Sequence, residues 1–216
     1  MTRLLVLIPT DFELQKLQPL LAASVARADA VIRACGFGAI VAGIRTTQLL
    51  TLYKPQAVVL VGIAGALGPH LPIGTATTFS RITCYGIGAG SGSDFETASE
   101  LGWPQWTDPE FGQSFGDVIE PAIESDRDDP AGSMLLTVCA ASGCSEDVAH
   151  RLQKFPQAVA EDMEAFSVAL ACRMAGIPLT VIRGISNMAG DRDKTNWNVT
   201  GALEAAAELA ALRIST

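Results

Sequence analysis

Short apolar runs, largely uninterrupted, recur along this chain between longer stretches with helical periodicity. That alternation is the signature of an α/β fold whose strands are covered on both faces. Strands are expected at Leu4–Ile8, Val31–Cys35, Ala57–Ile63, Met134–Ala140, Ala158–Glu161 and Leu179–Ser186. Helices are expected at Asp11–Val25, Ala39–Tyr53, Ser145–Lys154, Ala165–Ala175 and Val199–Leu212. Lys54-Pro55 ends the second helix, because proline drives the residue before it out of the helical region. Gly176 and Pro178 form a stop signal after the fourth.

With 216 residues, 49% of them hydrophobic, the chain can bury a substantial core and is read as a single domain over 1–216. Periodicity fails between Ser80 and Ala131, where Gly86, Gly88, Gly90 and Gly92 sit close to Tyr85, Phe95, Trp103, Trp106, Phe111 and Phe115. Disordered segments are poor in aromatics, so this stretch is expected to be a functional excursion from the domain. Fifteen basic against 23 acidic residues give a net charge of −8, which repels phosphate backbones and argues against nucleic acid as a partner. No apolar run of about 18 residues is present, so no membrane span is expected. The opening segment reads as a buried strand and not as a leader, since Pro9 and Asp11 interrupt its apolar run. Cys35, Cys84, Cys139, Cys144 and Cys172, an odd number lying mostly in apolar runs, are expected to be reduced core thiols of a cytoplasmic protein. There is no C-x-x-C or H-E-x-x-H pattern, and His70 and His150 are far apart, so a metal site has little support.

Three segments place polar groups where strands end. In PTDFEL, Thr10 and Glu13 have the spacing of a capping box ahead of an apolar helix. The same carboxylate, held ionised by the helix dipole, can also polarise a water, and the two readings do not exclude each other. In AEDMEAFSVALACRMAG, the helix beyond Glu164 is apolar nearly all round except for Arg173, so it is buried. Glu164 at its mouth needs strong hydrogen-bond partners, for which ligand hydroxyls are the natural source, whereas Glu161 and Asp162 are read as solvent-exposed acids. In VIRGISNMAGDRDKTNW, an apolar strand runs into Ser186-Asn187, and ligands of open α/β sheets bind beyond the carboxyl ends of strands. Asn187 offers both a donor and an acceptor there, while Asp191, Arg192 and Asp193 have the composition of a solvated loop. Phosphate-binding glycine loops and the G-x-S-x-G elbow are absent, and nothing in the spacing puts a thiol beside His150.

Taken together, PTDFEL at 9–14, CGFGAIVAGIRTTQLLTLYKPQAVVLVGIAGAL at 35–67, FPQAVAEDMEAFSVALA at 155–171 and RGISNMAGDRDKTNW at 183–197 resemble the nucleoside phosphorylase and nucleosidase superfamily. The resemblance is colinear over nearly the whole chain and implies a three-layer α/β/α sandwich with a mixed central sheet. Within the superfamily, SNMAGDRDKTNW and ELGWPQW are most similar to the futalosine hydrolase branch. That branch implies hydrolysis of the N-glycosidic bond of futalosine, releasing hypoxanthine, in menaquinone biosynthesis. Alternatives within the same resemblance are a nucleosidase of the methylthioadenosine/S-adenosylhomocysteine type or a purine nucleoside phosphorylase; a binding module that kept the fold and lost the chemistry is a further one. The partners implied are a small-molecule nucleoside and further copies of the chain, as a dimer or higher homo-oligomer, with neither metal nor organic cofactor.

By position, the resemblance gives Glu13 the role of water-activating base and Glu164 that of holding the ribose hydroxyls, with Met163 packed under the sugar. Ile63 and Ser186, at the ends of two strands, complete the implied substrate contacts. Asn187 stands where adenine-releasing relatives carry a proton-donating aspartate, and this departure favours a 6-oxopurine, whose edge presents two acceptors to an amide donor. Asp191 is the second candidate for delivering the proton. Leu60 and Ile63 occupy positions where phosphorylases hold phosphate with arginine and serine; a dianion there would be badly solvated, so water is the expected nucleophile.

Overall fold

In the computed structural model, which describes residues 4–110, 112, 114–121 and 133–214, five α-helices flank a nine-stranded mixed sheet. Chain order is β1 (Leu4–Ile8), α1 (Asp11–Arg27), β2 (Ala30–Ala34), α2 (Ala39–Tyr53), β3 (Ala57–Ala66), β4 (Ala76–Thr78) and β5 (Arg81–Tyr85). It continues with β6 (Val118–Ile119), β7 (Met134–Val138), α3 (Ser145–Lys154), β8 (Ala158–Asp162), α4 (Ala165–Met174), β9 (Leu179–Met188) and α5 (Val199–Ile214). The sheet runs β6-β5-β7-β8-β3-β1-β2, and β9 pairs with β3 on one side and β4 on the other. Most pairs are parallel; β8 meets β3, β9 meets β4 and β6 meets β5 in antiparallel register.

The period-2 pattern of the strands sorts side chains between two helical layers. Leu5 and Leu7 of β1 face a core shared with Leu49 of α2 and Phe166 and Val168 of α4. Val6 and Ile8 face the opposite core, with Leu17 and Leu21 of α1 and Leu203 and Ala206 of α5. Each such large side chain, fully buried, contributes roughly 1.5–3 kcal/mol by leaving water. Lys54 caps α2 in a left-handed conformation with its N–H on the Leu50 carbonyl, and the proline that follows cannot continue the helix. No helix among the described residues is long and apolar enough to cross a membrane.

Five expectations need correction. Strand β2 lies at the edge of the sheet and is only half-buried, not covered on both faces. The excursion starts later than Ser80: Arg81–Tyr85 is an interior strand between β6 and β7, and β4 before it also joins the sheet. Five- and three-residue strands with a polar residue in each leave too short a period-2 signal to read. Cys35, Cys84 and Cys172 are buried free thiols, but Cys139 and Cys144, just beyond β7, are exposed free thiols. Glu161 and Asp162 lie in β8, both buried at 5% exposure, and are not solvated acids. Strand β7 ends at Val138, because the chain turns toward the site at Cys139. Of the excursion's aromatics, Phe95 and Phe115 are buried, Trp106 stacks on Phe115 at 5.5 Å and Trp103 is 75% exposed; Phe111 and the stretch 122–131 lie outside the described residues.

Strand β9 passes so close to α5 that a Cβ on Gly184 would stand 1.9 Å from the carbonyl oxygen of Ala202. Backbone cannot yield as a side chain does, so Gly184→Ala is expected to cost at least about 2–3 kcal/mol of unfolding free energy, the upper range for overpacking. Urea denaturation checks this, and a loss below about 1 kcal/mol would show that the two elements part freely.

Candidate active site

A cavity of about 460 Å³ opens at the carboxyl ends of the parallel strands. In an open α/β sheet this is where adjacent chain segments diverge and leave a crevice. Glu13 reaches it from the first turn of α1, Ile63 and Gly65 from β3, Glu161 to Glu164 from the β8–α4 junction, and Ser186 and Asn187 from β9. Thr10, Phe12, Phe37, Ala64, Val138, Ala141, Ser142, Arg192 and Trp197 complete the wall.

Glu13 is the capping-box acid and a cavity carboxylate at once. Its Oε2 accepts from the Thr10 N–H at 3.1 Å and the Thr10 hydroxyl at 2.6 Å, and the Glu13 N–H donates to Thr10 Oγ1 at 3.2 Å. Its Oε1 accepts from the Ile63 N–H at 3.0 Å, which ties the start of α1 to β3. The contribution of Ile63 to this corner is therefore a backbone donor.

Behind the wall lies an arginine that the sequence reading passed over. Arg183, fully buried on β9, donates through Nε and Nη2 to Asp162 Oδ2 at 3.0 and 2.6 Å, and Nη2 stands 3.8 Å from Glu164 Oε2. Its Nη1 has no hydrogen-bond partner among the described residues. Gly62 separates that nitrogen from Glu13: a Cβ there would lie 2.5 Å from Nη1 and 2.8 Å from Glu13 Oε1. The signal was present, since a lone charge inside an apolar strand must find a buried partner. Asp162 also accepts from the Thr137 hydroxyl at 2.6 Å and from the Ala165 N–H at 2.9 Å, which fixes the first turn of α4.

Glu164 is poorly provided for by comparison. Its Oε1 accepts one backbone N–H, from Gly38 at 3.0 Å. Burial and the neighbouring Asp162 charge push its carboxyl up to about 7, with Arg183 opposing them in part. Beside this group the buried Cys35 thiol is pushed up to about 12 by burial and stays neutral.

At the other end, Asn187 Oδ1 accepts from the Ser186 hydroxyl at 2.7 Å, and its amide nitrogen donates one hydrogen to the Met188 carbonyl at 2.8 Å. The oxygen thus already has one donor, which the Ala64 carbonyl shares at 3.2 Å, and the second amide hydrogen is left for a ligand. Asp191 is not part of the cavity wall. Its carboxylate accepts from the Asp193 N–H at 2.9 Å and the Asn196 side-chain amide at 2.8 Å, and its carbonyl accepts from the Trp197 indole at 3.1 Å. Those bonds hold Arg192 and Trp197 in the wall, the guanidinium 5.4 Å from the indole centre. Met163 stands between Asp162 and Glu164 on the cavity side. Among the described residues, no group of three His, Cys, Asp or Glu gathers as a metal-ligand set.

The Phosphorylase superfamily model matches residues 18–215, and the chain belongs to that family. The chain is 30% identical to the futalosine hydrolase of Streptomyces coelicolor over 148 residues, which span 68% of this chain and 60% of that enzyme. It is also 30% identical to the 5'-methylthioadenosine/S-adenosylhomocysteine nucleosidase of Chromohalobacter salexigens over 165 residues, 75% of this chain and 68% of that one. The fold superposes on the Neisseria meningitidis nucleosidase of the same name with a TM-score of 0.72 at 19% identity, with all of both chains covered.

The Asp162–Arg183 pair supports a direct test. Removing one partner strands a buried charge, so Arg183→Met is expected to lower unfolding free energy by about 3–5 kcal/mol in urea at neutral pH. The double variant with Asp162→Leu should recover part of that loss, and an Arg183→Met variant as stable as wild type would remove the pair from the framework of the site.

Proposed function

We propose that this chain is a nucleosidase that hydrolyses the N-glycosidic bond of a 6-oxopurine nucleoside of the futalosine type. The observation that carries the reading is Asn187 at the cavity wall, whose oxygen already accepts from Ser186 and whose amide nitrogen keeps one hydrogen for a ligand. A 6-oxopurine presents the 6-oxo oxygen and ring nitrogen 7 as acceptors on one edge, whereas adenine replaces the first with an amino donor and leaves ring nitrogen 7 as the one acceptor for that hydrogen. In the reaction a water oxygen bonds to the anomeric carbon while the bond to the base nitrogen breaks. Glu13 takes a proton from that water, Glu164 accepts from the ribose hydroxyls with Met163 under the ring, and the base departs with the bonding pair. Asn187 stabilises the charge that develops on the base, which is then protonated by solvent. Asp191 acts by shaping the loop and not as the proton donor.

Water as nucleophile is supported by the first loop and by Leu60, which is wholly buried in the core and offers a phosphate nothing, while the Ile63 N–H is engaged by Glu13. The reading includes a homo-oligomer, for which Phe37, Ile40, Val41 and Ile44 form an apolar face, each more than half exposed, next to the cavity mouth. It also includes a cytoplasmic setting, where five free thiols are stable, and a place in menaquinone biosynthesis. A second reading, an adenine-releasing nucleosidase, is favoured by the relative from Chromohalobacter salexigens, whose match spans the larger share of this chain.

Mass-spectrometric product analysis with futalosine, aminofutalosine, inosine and methylthioadenosine decides between these readings. Futalosine in phosphate-free buffer should yield hypoxanthine and a free reducing sugar, and Glu13→Gln should lower kcat by roughly 10²–10⁴, the loss expected for a general base. A sugar 1-phosphate as main product, or faster turnover of aminofutalosine, would overturn the corresponding part of the reading.

Glu164 predicts the pH dependence. Burial and the Asp162 charge push its carboxyl up to about 7 from an ordinary 4.5, so its ionised fraction grows across neutrality. kcat/KM for ribosides should therefore climb as pH rises through about 7, and Glu164→Gln should lower it and remove that limb. The stability contribution has the opposite sign: present in full below 4.5, it is lost as pH rises through about 7. A riboside profile flat from pH 6 to pH 8, roughly a unit either side of that value, would count against the ribose role.

A further inference from the structure

A second buried ion pair lies at the cavity's base end and is not used by the proposed reaction. Arg151 on α3 and Glu161 on β8 are 7% and 5% exposed. Arg151 Nη1 donates to both Glu161 Oε2 and Ser142 Oγ, and Nη2 donates to the Ala140 carbonyl at 2.7 Å. Glu161 in turn accepts from the Ser142 N–H and the Ser142 hydroxyl, each at 2.7 Å. The Gly143 N–H donates to Asp147 at 2.8 Å. The turn from Ala140 to Gly143 is thus tied down on both sides of Ala141, whose own N–H and C=O make no hydrogen bond with the described residues and which lies in the cavity wall. Beneath the pair, the Arg151 guanidinium sits 5.7 Å from the Tyr85 ring centre, and Tyr85 packs on Phe95 of the aromatic excursion at 4.5 Å.

An ion pair this deep is a poor source of stability, because desolvating two charges offsets most of their attraction, and apolar replacements of similar volume are often neutral or stabilising. What the pair supplies here is geometry. It fixes the peptide planes on either side of Ala141, through the Ala140 carbonyl and the Ser142 N–H, and so fixes the direction of the Ala141 N–H and C=O that share those planes. We propose that the Arg151–Glu161–Ser142 clamp is a positioning and specificity device: it holds the Ala141 N–H and C=O toward the edge of the bound purine and so sets which base is accepted. This rests on the nucleosidase reading for the identity of the ligand, but not on hydrolysis itself.

The test uses a charge-neutral double variant, Arg151→Met with Glu161→Leu, which keeps the net charge and removes both buried ions. Thermal unfolding reports its stability, calorimetry reports its Kd for free hypoxanthine and free adenine, and steady-state kinetics report kcat and KM for the nucleosides. The expected result is a Tm at or above wild type, hypoxanthine affinity lower by at least tenfold, a hypoxanthine-to-adenine ratio near one, and a raised KM with kcat less affected. A merely structural pair would leave both dissociation constants and the KM unchanged in the folded double variant, and that result overturns the proposal. Should the double variant fail to fold, Ser142→Ala removes the hydroxyl link alone and should shift the base ratio in the same direction; an unshifted ratio overturns it equally. Wild type that binds neither base overturns the clamp's role, whereas base selectivity that depends on the clamp in a protein that hydrolyses no nucleoside upholds the clamp and defeats the hydrolytic reading.

Discussion

Arg183 crosses from the middle of β9 to the end of β8 and meets Asp162 where both side chains are wholly removed from solvent. Two charges placed there lose several kcal/mol of hydration apiece, which only close geometry and further hydrogen bonds return. Asp162 obtains them from the Thr137 hydroxyl on β7 and the Ala165 N–H at the head of α4, so four elements converge on one carboxylate. The neighbours of that carboxylate inherit their positions from it. Glu164 follows two residues later, and Glu13 lies across Gly62 from the unpaired guanidinium nitrogen.

The cavity collects four carboxylates, Glu13, Glu161, Asp162 and Glu164, and supplies them unequally. Asp162 and Glu161 each have an arginine and further donors, and Glu13 has three hydrogen bonds from Thr10 and Ile63. Glu164 has one backbone N–H, and it is the group whose carboxyl is raised to about 7. A carboxylate short of donors in a buried cavity is the one that gains most from ligand hydroxyls. The first two acids build the frame, Glu13 ties the start of α1 to that frame at the cavity wall, and Glu164 has its acceptor capacity left for a ligand.

Much of this was legible in the residues. The starts of α1, α2, α3 and α4 and both ends of β1 fall where caps, prolines and apolar periodicity place them, and Glu13, Met163, Glu164, Ser186 and Asn187 gather at one cavity as strand-end residues should. What escaped was mostly pairing at long range. Glu161 and Asp162 looked solvated because their partners, Arg151 and Arg183, are 10 and 21 residues away and nothing local announces them. Strands β4 and β5 escaped because the sheet, and not their own short pattern, makes them strands. Asp191, the second candidate for proton delivery by resemblance, lies outside the cavity wall with two hydrogen bonds to its carboxylate from its own loop, a local arrangement that no motif spacing announces.

The two buried arginines divide the site by function. Arg183 organises the end of the cavity that holds Glu13 and Glu164; Arg151 organises the turn at the end that holds Ala141 and Asn187. Each anchors to a different residue of the one short strand, Glu161 and Asp162, whose side chains alternate across the pleat. A substitution at one end therefore need not disturb the other, since the shared strand is held by its own ladder to β7 and β3. Such a division lets the turn after β7 and the tip of β9 change without moving the carboxylates at the Glu13–Glu164 end.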